Sequence, residues 1–383
     1  MLNKLKRDAA ATSSAEPQSK RARKDMVESG ALRNAGGAAA IASSYPTVPV
    51  KSVYLACPPK VQTGGPEAMH QLCSAINKSD KFQGKARMLY LREDSNVGVR
   101  HSKGVGRVAA YERYDASAAE GLPDNETELI IWPEVWTQHI DSKGLVPSGK
   151  IRPAHQTAIW WLSVDNNNGK FKDWKRDDIL HLYQSEYAKQ HLVKNGAKHI
   201  IAMTEYIPNR AVPAASERTL QVLYNPVKGI HYTDEIKRRS GKGKHAISFT
   251  PIGGGSGGRT RISPEEVVAM LGRARVYIDF GPHPGMDRLP REAAIASCIV
   301  ITNGDGAAQF DTDVPIPPHY KVRKFDVDRI HRLLRRSLDE YEKRVKDFDD
   351  YRKWIGGQME RMDMCVDKFL DEVAGSRLKV SKP

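Results

Sequence analysis

Two textures divide this chain. Residues 1–50 mix Ala, Ser and charged side chains with no sustained apolar period, which predicts a disordered tail. From Lys51 onward, short β-branched and aliphatic runs alternate with stretches whose apolar positions recur every three or four residues, the pattern of a parallel sheet covered by helices. Strands are expected at 52–56, 86–91, 128–132, 159–163 and 199–204. A helix is expected at 66–77, with Pro66 in its first turn, and another at 177–194 from the spacing of Ile179, Leu182, Tyr183 and Tyr187.

A polar, proline-containing connector at 208–218 precedes a second series with strands at 220–224, 246–250, 276–280 and 298–302. Beyond it, Ile330, Leu333, Leu334, Leu338, Tyr341, Val345 and Phe348 place one apolar stripe on a long charged helix. The stripe reads as packing against the chain's own domains in preference to a dimer seam. Gly356-Gly357 breaks the helix before a last one that ends near Val373. The fold class is α/β, in four segments: a basic, Ala/Ser-rich tail (1–50), two α/β domains (51–213 and 214–350), and a C-terminal helix and tail (351–383).

Charge narrows the partners. Lys and Arg number 60 against 46 Asp and Glu, a net +14 that favours anionic ligands. The tail holds eight basic and four acidic residues, so most of the excess belongs to the folded part. Lys20-Arg21-Ala22-Arg23-Lys24 resembles a nuclear-import patch and equally fits a solvated basic stretch. The four cysteines are isolated, with no CxxC pair and no Cys/His spacing for zinc, which fits a reducing compartment. No stretch approaches the roughly 18 apolar residues of a membrane helix, so the expectation is a soluble, cytoplasmic protein.

Four segments can carry chemistry. Thr63-Gly64-Gly65-Pro66-Glu67 follows a strand and opens a helix, where backbone N–H groups can meet a phosphate. Tyr224-Asn225-Pro226-Val227-Lys228-Gly229 again follows a strand and places a lysine near that crevice. Ile252-Gly253-Gly254-Gly255-Ser256-Gly257-Gly258 is either a ligand-wrapping loop or simple slack, and it is not a dinucleotide fingerprint. The richest is 276–303: a strand, a loop holding His283, Pro284, Gly285, Asp287 and Arg288, a helix opened by Pro290 with Glu292 in its first turn, and another strand.

Together these segments resemble the group 1 retaining glycosyltransferases, whose GT-B architecture sets two Rossmann-like domains with parallel sheets across a cleft. The resemblance covers most of 51–370 and implies C-terminal helices crossing back to the first domain. It implies that Gly64 and Gly65 lie under a donor diphosphate, that Asn225 and Lys228 belong to a diphosphate-binding motif, and that Gly253 and Gly254 border the donor. It also implies that Glu292 grips a nucleotide ribose. The family places two glutamates with seven residues between them. Here the first position holds Pro284, although the following Gly285 matches, and the arginine that ordinarily precedes the lysine motif is missing. Arg288 is the candidate replacement cation, while His283 and Asp287 stand where sugar hydroxyls are expected, giving a catalytic trio of His283, Asp287 and Arg288.

The function implied is a metal-independent, hexosyltransferase-like enzyme with no cofactor beyond its substrate. It moves a sugar from a nucleotide-sugar donor to a glycan or other acceptor held by the N-terminal domain, with retention. The alternative is a GT-B-like nucleotide-sugar-binding protein without transferase activity, for which the absent first glutamate speaks. A nucleic-acid-binding protein is the weakest reading, because the basic residues are dispersed and no nucleic-acid motif is present. Trp132, Trp136, Trp160 and Trp161 are either sugar-stacking faces or core.

Overall fold

The computed structural model describes residues 48–103, 106–146, 155–208, 217–253 and 262–374. Two sheets organise them, both within one compact unit. The first begins with β1 (Ser52–Cys57), α1 (Gly64–Lys78), β2 (Lys85–Asp94) and β3 (Gly98–His101). It continues through β4 (Glu128–Pro133), β5 (Gln156–Trp161), β6 (Ile179–Tyr183), α2 (Glu186–Asn195) and β7 (His199–Ala202). Its order is β3-β2-β1-β4-β5-β6-β7, parallel except for the antiparallel edge strand β3.

The second sheet comes from β8 (Leu220–Tyr224), α3 (Ile230–Ser240), β9 (Phe249–Pro251), α4 (Pro264–Arg273), β10 (Ala274–Asp279), α5 (Arg288–Ile295), β11 (Ile299–Asn303) and β12 (Lys321–Val322). Its order is β12-β11-β10-β8-β9, parallel throughout. In both sheets the chain builds outward on one side and then crosses to the other. The reversal falls between β1 and β4 in the first sheet and between β10 and β8 in the second. An open α/β sheet leaves a crevice at such a reversal, at the carboxyl ends of the strands.

The central strands are apolar because helices cover both faces. Val53, Leu55, Ile131 and Leu182 are fully buried in the first sheet, as are Val222, Tyr277 and Val300 in the second. The C-terminal stripe serves this second core: Ile330, Leu334, Leu338, Tyr341 and Phe348 pack into it. The chain then returns through α6 (Val327–Asp339), α7 (Tyr341–Arg344), α8 (Asp349–Gly356) and α9 (Gln358–Val373). On α9, Met362, Val366, Phe369, Leu370 and Val373 join the core of the first sheet, and Val50 N–H donates to the Val373 carbonyl at 2.9 Å. No helix among the described residues is long and apolar enough to cross a membrane.

Three sequence expectations change. The stretch 177–194 is not one helix: Ile179–Tyr183 forms β6, hydrogen-bonded between β5 and β7, and Ser185 caps α2 by accepting from the Ala188 N–H. A run buried on both faces has no polar side to betray its period, so helix and strand look alike. The stripe at 330–348 is likewise divided, at Glu340 and again through a 3₁₀ turn at Val345–Phe348. The strand expected at 246–250 shrinks to Phe249–Pro251. The 213/214 boundary, the Lys20–Lys24 run and Gly254 lie outside the described residues.

One buried side chain ties the sheets together. Arg291 on α5 is 1% exposed and reaches Glu205, which follows β7 in the first sheet and is 2% exposed. The guanidinium also donates to Gln358 Oε1 on α9 at 3.1 Å and to the Met286 and Asp287 carbonyls at 2.6 and 3.1 Å. Gln184 completes the seam, donating to Glu205 at 3.1 Å and accepting from the Met286 N–H at 3.0 Å. Arg291→Met strands the Glu205 carboxylate and is expected to cost about 3–5 kcal/mol in urea unfolding, whereas Arg291→Met/Glu205→Gln recovers much of that loss. A single-variant loss below about 1 kcal/mol would show that the seam does not hold the sheets.

Candidate functional site

The two reversals open onto the same space. A cavity of about 410 Å³ is lined by residues that follow β1 (Thr63, Gly64, Gly65), β4 (Glu134, Trp136), β5 (Ser163, Asn166), β8 (Lys228) and β10 (Gly285, Asp287, Arg288). Every one lies at the carboxyl end of its strand. A shallower depression of about 220 Å³, bordered by Gly64, Glu67, Arg288 and Glu292, lies beside it.

The loop after β10 enters the first sheet's territory. The Pro284 carbonyl accepts from the Val164 N–H at 3.0 Å. A Cβ on Gly285 would fall 1.9 Å from the Leu162 carbonyl, so any side chain there would push the loop away. Gly229, just after Lys228, has φ +55°, and a Cβ there would lie 2.4 Å from the Phe280 carbonyl. Glycine at both positions lets the second sheet's loops approach closely.

The charged groups form two linked sets. Asp287 receives the Lys228 ammonium at 2.7 Å on one oxygen and faces His283 Nδ1 at 3.0 Å with the other. Behind them, Asp279 accepts from Tyr277 OH at 3.1 Å and from the Gly281 N–H at 3.2 Å. Burial opposes charge on all three titrating groups. It raises Asp279, but the hydrogen bond to Asp287 and the nearby carboxylates lift His283 above its ordinary value, and His283 and Lys228 hold Asp287 below the carboxylate range. Ligand atoms of Asp279, His283 and Asp287 lie within 4.8 Å of one another, a spacing that could hold a cation. Asp287 already carries an ammonium and an imidazole, so a metal would have to displace them.

The second set spans the sheets. Arg288 Nη1 donates to Glu67 Oε2 at 2.7 Å, and Glu67 also takes Arg113 and, at 3.0 Å, Tyr114 OH. Glu292 lies 3.8 Å from Arg288 Nε. Arg288 Nη2 is buried with no hydrogen-bond partner among the described residues. The Arg288 side chain borders both the cavity and the depression, beside the N-terminus of α1, where Thr63 makes no side-chain cap.

The structure therefore gathers Gly64, Gly65, Lys228, Gly285, Asp287 and Arg288 around the cavity and sets Glu292 beside it. His283 is 2% exposed and lies behind Asp287, bordering a separate cavity of about 370 Å³ on the far side of the loop. Asn225 holds the turn, accepting from the Val227 N–H at 2.9 Å, and Gly253 forms a bend with φ +65°. Neither lines the cavity. Trp132, Trp160 and Trp161 are fully buried, and of the four tryptophans considered only Trp136 borders it.

No family model matches the sequence, and no curated protein matches it. Solved structures do match in shape. A sucrose-phosphate synthase from Thermosynechococcus elongatus aligns with a TM-score of 0.54 at 11% identity, covering 85% of this chain and 100% of that one. A trehalose-6-phosphate protein from E. coli bound with UDP-2-fluoro glucose aligns at 0.53 and 10% identity, covering 84% and 99%. TarM aligns at 0.52 and 12% identity over 66% of this chain, which spans only 56% of TarM. The chain has the GT-B fold. Its cavity occupies the GT-B cleft, with both sheets contributing walls.

Sequence reasoning missed Glu134. It stands immediately after β4, at the reversal of the first sheet, 4% exposed and bordering the cavity. Its carbonyl is pinned by Asn167 Nδ2 at 2.7 Å, and its Oε2 accepts from the Leu162 N–H at 3.4 Å. No cation pairs with it among the described residues. Burial pushes its carboxyl up to about 7, against the opposing pull of its own, Leu162 and Ser163 amides. The signal available in the sequence was topological, a carboxylate directly after the strand that follows the crossover. Because the folded state binds this proton more tightly than the unfolded chain, wild-type stability falls as pH rises from about 4.5 to about 7. Glu134→Gln should thus match wild type near pH 4 and exceed it at pH 8 by something on the order of 3 kcal/mol, read by urea unfolding at each pH. Equal pH profiles would show that Glu134 titrates normally.

Proposed function

We propose that this protein transfers a sugar from a nucleotide-sugar donor to a hydroxyl-bearing acceptor, without a resident metal. The observation that carries the reading is that Arg288 and the α1 N-terminus, where Thr63 makes no side-chain cap, form the wall shared by cavity and depression, with the Lys228 ammonium lining the cavity beside them. Backbone amides and cations around one crevice suit a diphosphate, whose negative charge grows as the bond to the sugar breaks. Glu292, in the adjoining depression, is suitably placed to accept from ribose hydroxyls. The UDP sugar named with the E. coli neighbour gives the donor class a starting point.

The sugar then extends along residues 284–287. Pro284 brings no carboxylate to this wall, so the nearest one is Asp287, whose two oxygens are engaged by Lys228 and His283. In this arrangement His283 is a positioning residue, holding Asp287 ionised and oriented from behind. Retention is part of the proposal and is read from the anomeric configuration of the product.

Thermal unfolding in the presence of a panel of nucleotide sugars is the first test, since a ligand specific for the native state raises its melting temperature. Lys228→Ala and Glu292→Ala should each weaken the stabilising donor by about 1.5–3 kcal/mol in calorimetry, with native circular dichroism. Unchanged affinity in both variants places the donor elsewhere. Asp287→Asn should lower turnover more than donor affinity, because its contact is to the sugar. An Asp287→Asn variant with wild-type turnover removes the loop from the chemistry.

A further inference from the structure

The N-terminal half of the cavity differs chemically from the half just described. Among the described lining residues, the carboxyl groups from the first sheet are Glu134 and Glu205, and Glu205 is neutralised by Arg291. The cations of the lining, Lys228 and Arg288, come from the second sheet and already pair with Asp287 and Glu67. An anionic group entering from the β4 and β5 side would therefore meet an uncompensated carboxyl in place of a cation. Beside Glu134 lie the half-buried Trp136 ring, Asn166, and Ser163, whose Oγ is buried without a partner among the described residues.

We propose that Glu134, Trp136, Ser163 and Asn166 form the acceptor subsite and that it takes an uncharged sugar or other cyclic polyol. This deepens the transferase reading above and rests on it for the word acceptor, although the binding site itself does not depend on transfer. Each lining group has a part in such a complex. An apolar ring face suits the C–H face of a pyranose, and Ser163 and Asn166 supply short-range donors and acceptors for its hydroxyls. The Glu134 carboxylate accepts one hydroxyl in a charge-assisted bond, which is the stronger kind in a dry site. Charged groups facing it across the cavity are Glu205, Lys228, Asp287 and Arg288. Lys228 pairs with Asp287, Glu205 with Arg291 and Arg288 with Glu67, which leaves Glu134 as the carboxyl there without an ion-pair partner among the described residues.

The test uses the full chain and two independent titrations. In the first, glucose, galactose, mannose, N-acetylglucosamine and maltose are followed by ligand-observed NMR, alongside glucose 6-phosphate and glucuronate. At least one neutral sugar should bind more tightly than its phosphorylated or carboxylated counterpart. Its affinity should improve as pH rises through about 7. Glu134→Gln should abolish that pH dependence, and both Glu134→Ala and Trp136→Ala should weaken binding by about tenfold or more. Binding of none of the neutral sugars, tighter binding of the charged counterparts, or a neutral sugar that ignores both alanine variants overturns the proposal. The second titration adds UDP to the same variants and should give wild-type affinity in each. Failure of all nucleotides and nucleotide sugars to bind defeats the transferase reading while leaving the sugar titration to judge the subsite.

Discussion

The molecule turns on a guanidinium buried between two sheets. Arg291 engages a carboxylate from the first sheet, an amide from the last helix and two carbonyls of the loop that enters the cavity. A cation in so dry a place is tolerable only with every neighbour in position, because an unmatched charge there costs several kcal/mol. Sheet docking, the return of α9 and the path of residues 284–288 are therefore not three separate adjustments. Each is a condition on the other two, and the carboxyl-end faces of the sheets meet with their walls already in register.

Upon that seam the cavity divides by charge. From the second sheet come Lys228, Arg288 and the buried chain of Asp287, His283 and Asp279; from the first come glycines, a helix N-terminus, an aromatic face and Glu134. The division follows from topology. Each sheet has one reversal, each reversal presents the ends of two adjacent strands, and the seam points both toward the same space. Arg288 is the exception that crosses over, for it begins α5 in the second domain and pairs with Glu67 on α1 in the first.

Much of this was legible in the linear pattern and some was not. The α/β alternation, the C-terminal helices and the glycine-bearing turns could be read because each has a local signature: a buried apolar run, a periodic stripe, a glycine between strand and helix; the GT-B arrangement and the return to the first domain followed from the family resemblance. β6 was misread because Ile179–Tyr183 is buried on both faces, and β3 was missed because a four-residue edge strand with Arg100 and His101 carries little apolar signal. The candidate site was legible where a motif marked it, at Gly64, Lys228 and Glu292. Glu134 has no motif, and Arg291 looks like one more surface arginine until α5 is packed. Their environments depend on residues 28 to 86 positions away in sequence, Leu162 for one and Glu205 for the other, which no local window contains.

The same physics explains why Glu134 stands apart from the other acids of the cleft. Glu67, Glu205 and Asp287 each sit against a cation that arrived with the fold. Among the described residues Glu134 has only backbone amides, which stabilise its charge less than burial opposes it, and its proton is consequently held to about pH 7. A carboxyl in that condition is sensitive to what enters the cavity. A hydroxyl donating to it favours the ionised form, while an apolar or anionic group favours the neutral one. Replacing the amides by a lysine would make a tighter ion pair and a more ordinary acid, but it would also remove this responsiveness. The absence of a cation beside Glu134 among the described residues thus has a chemical consequence of its own: the charge of this carboxyl is set by burial, backbone amides and whatever occupies the cavity, and not by an ion-pair partner.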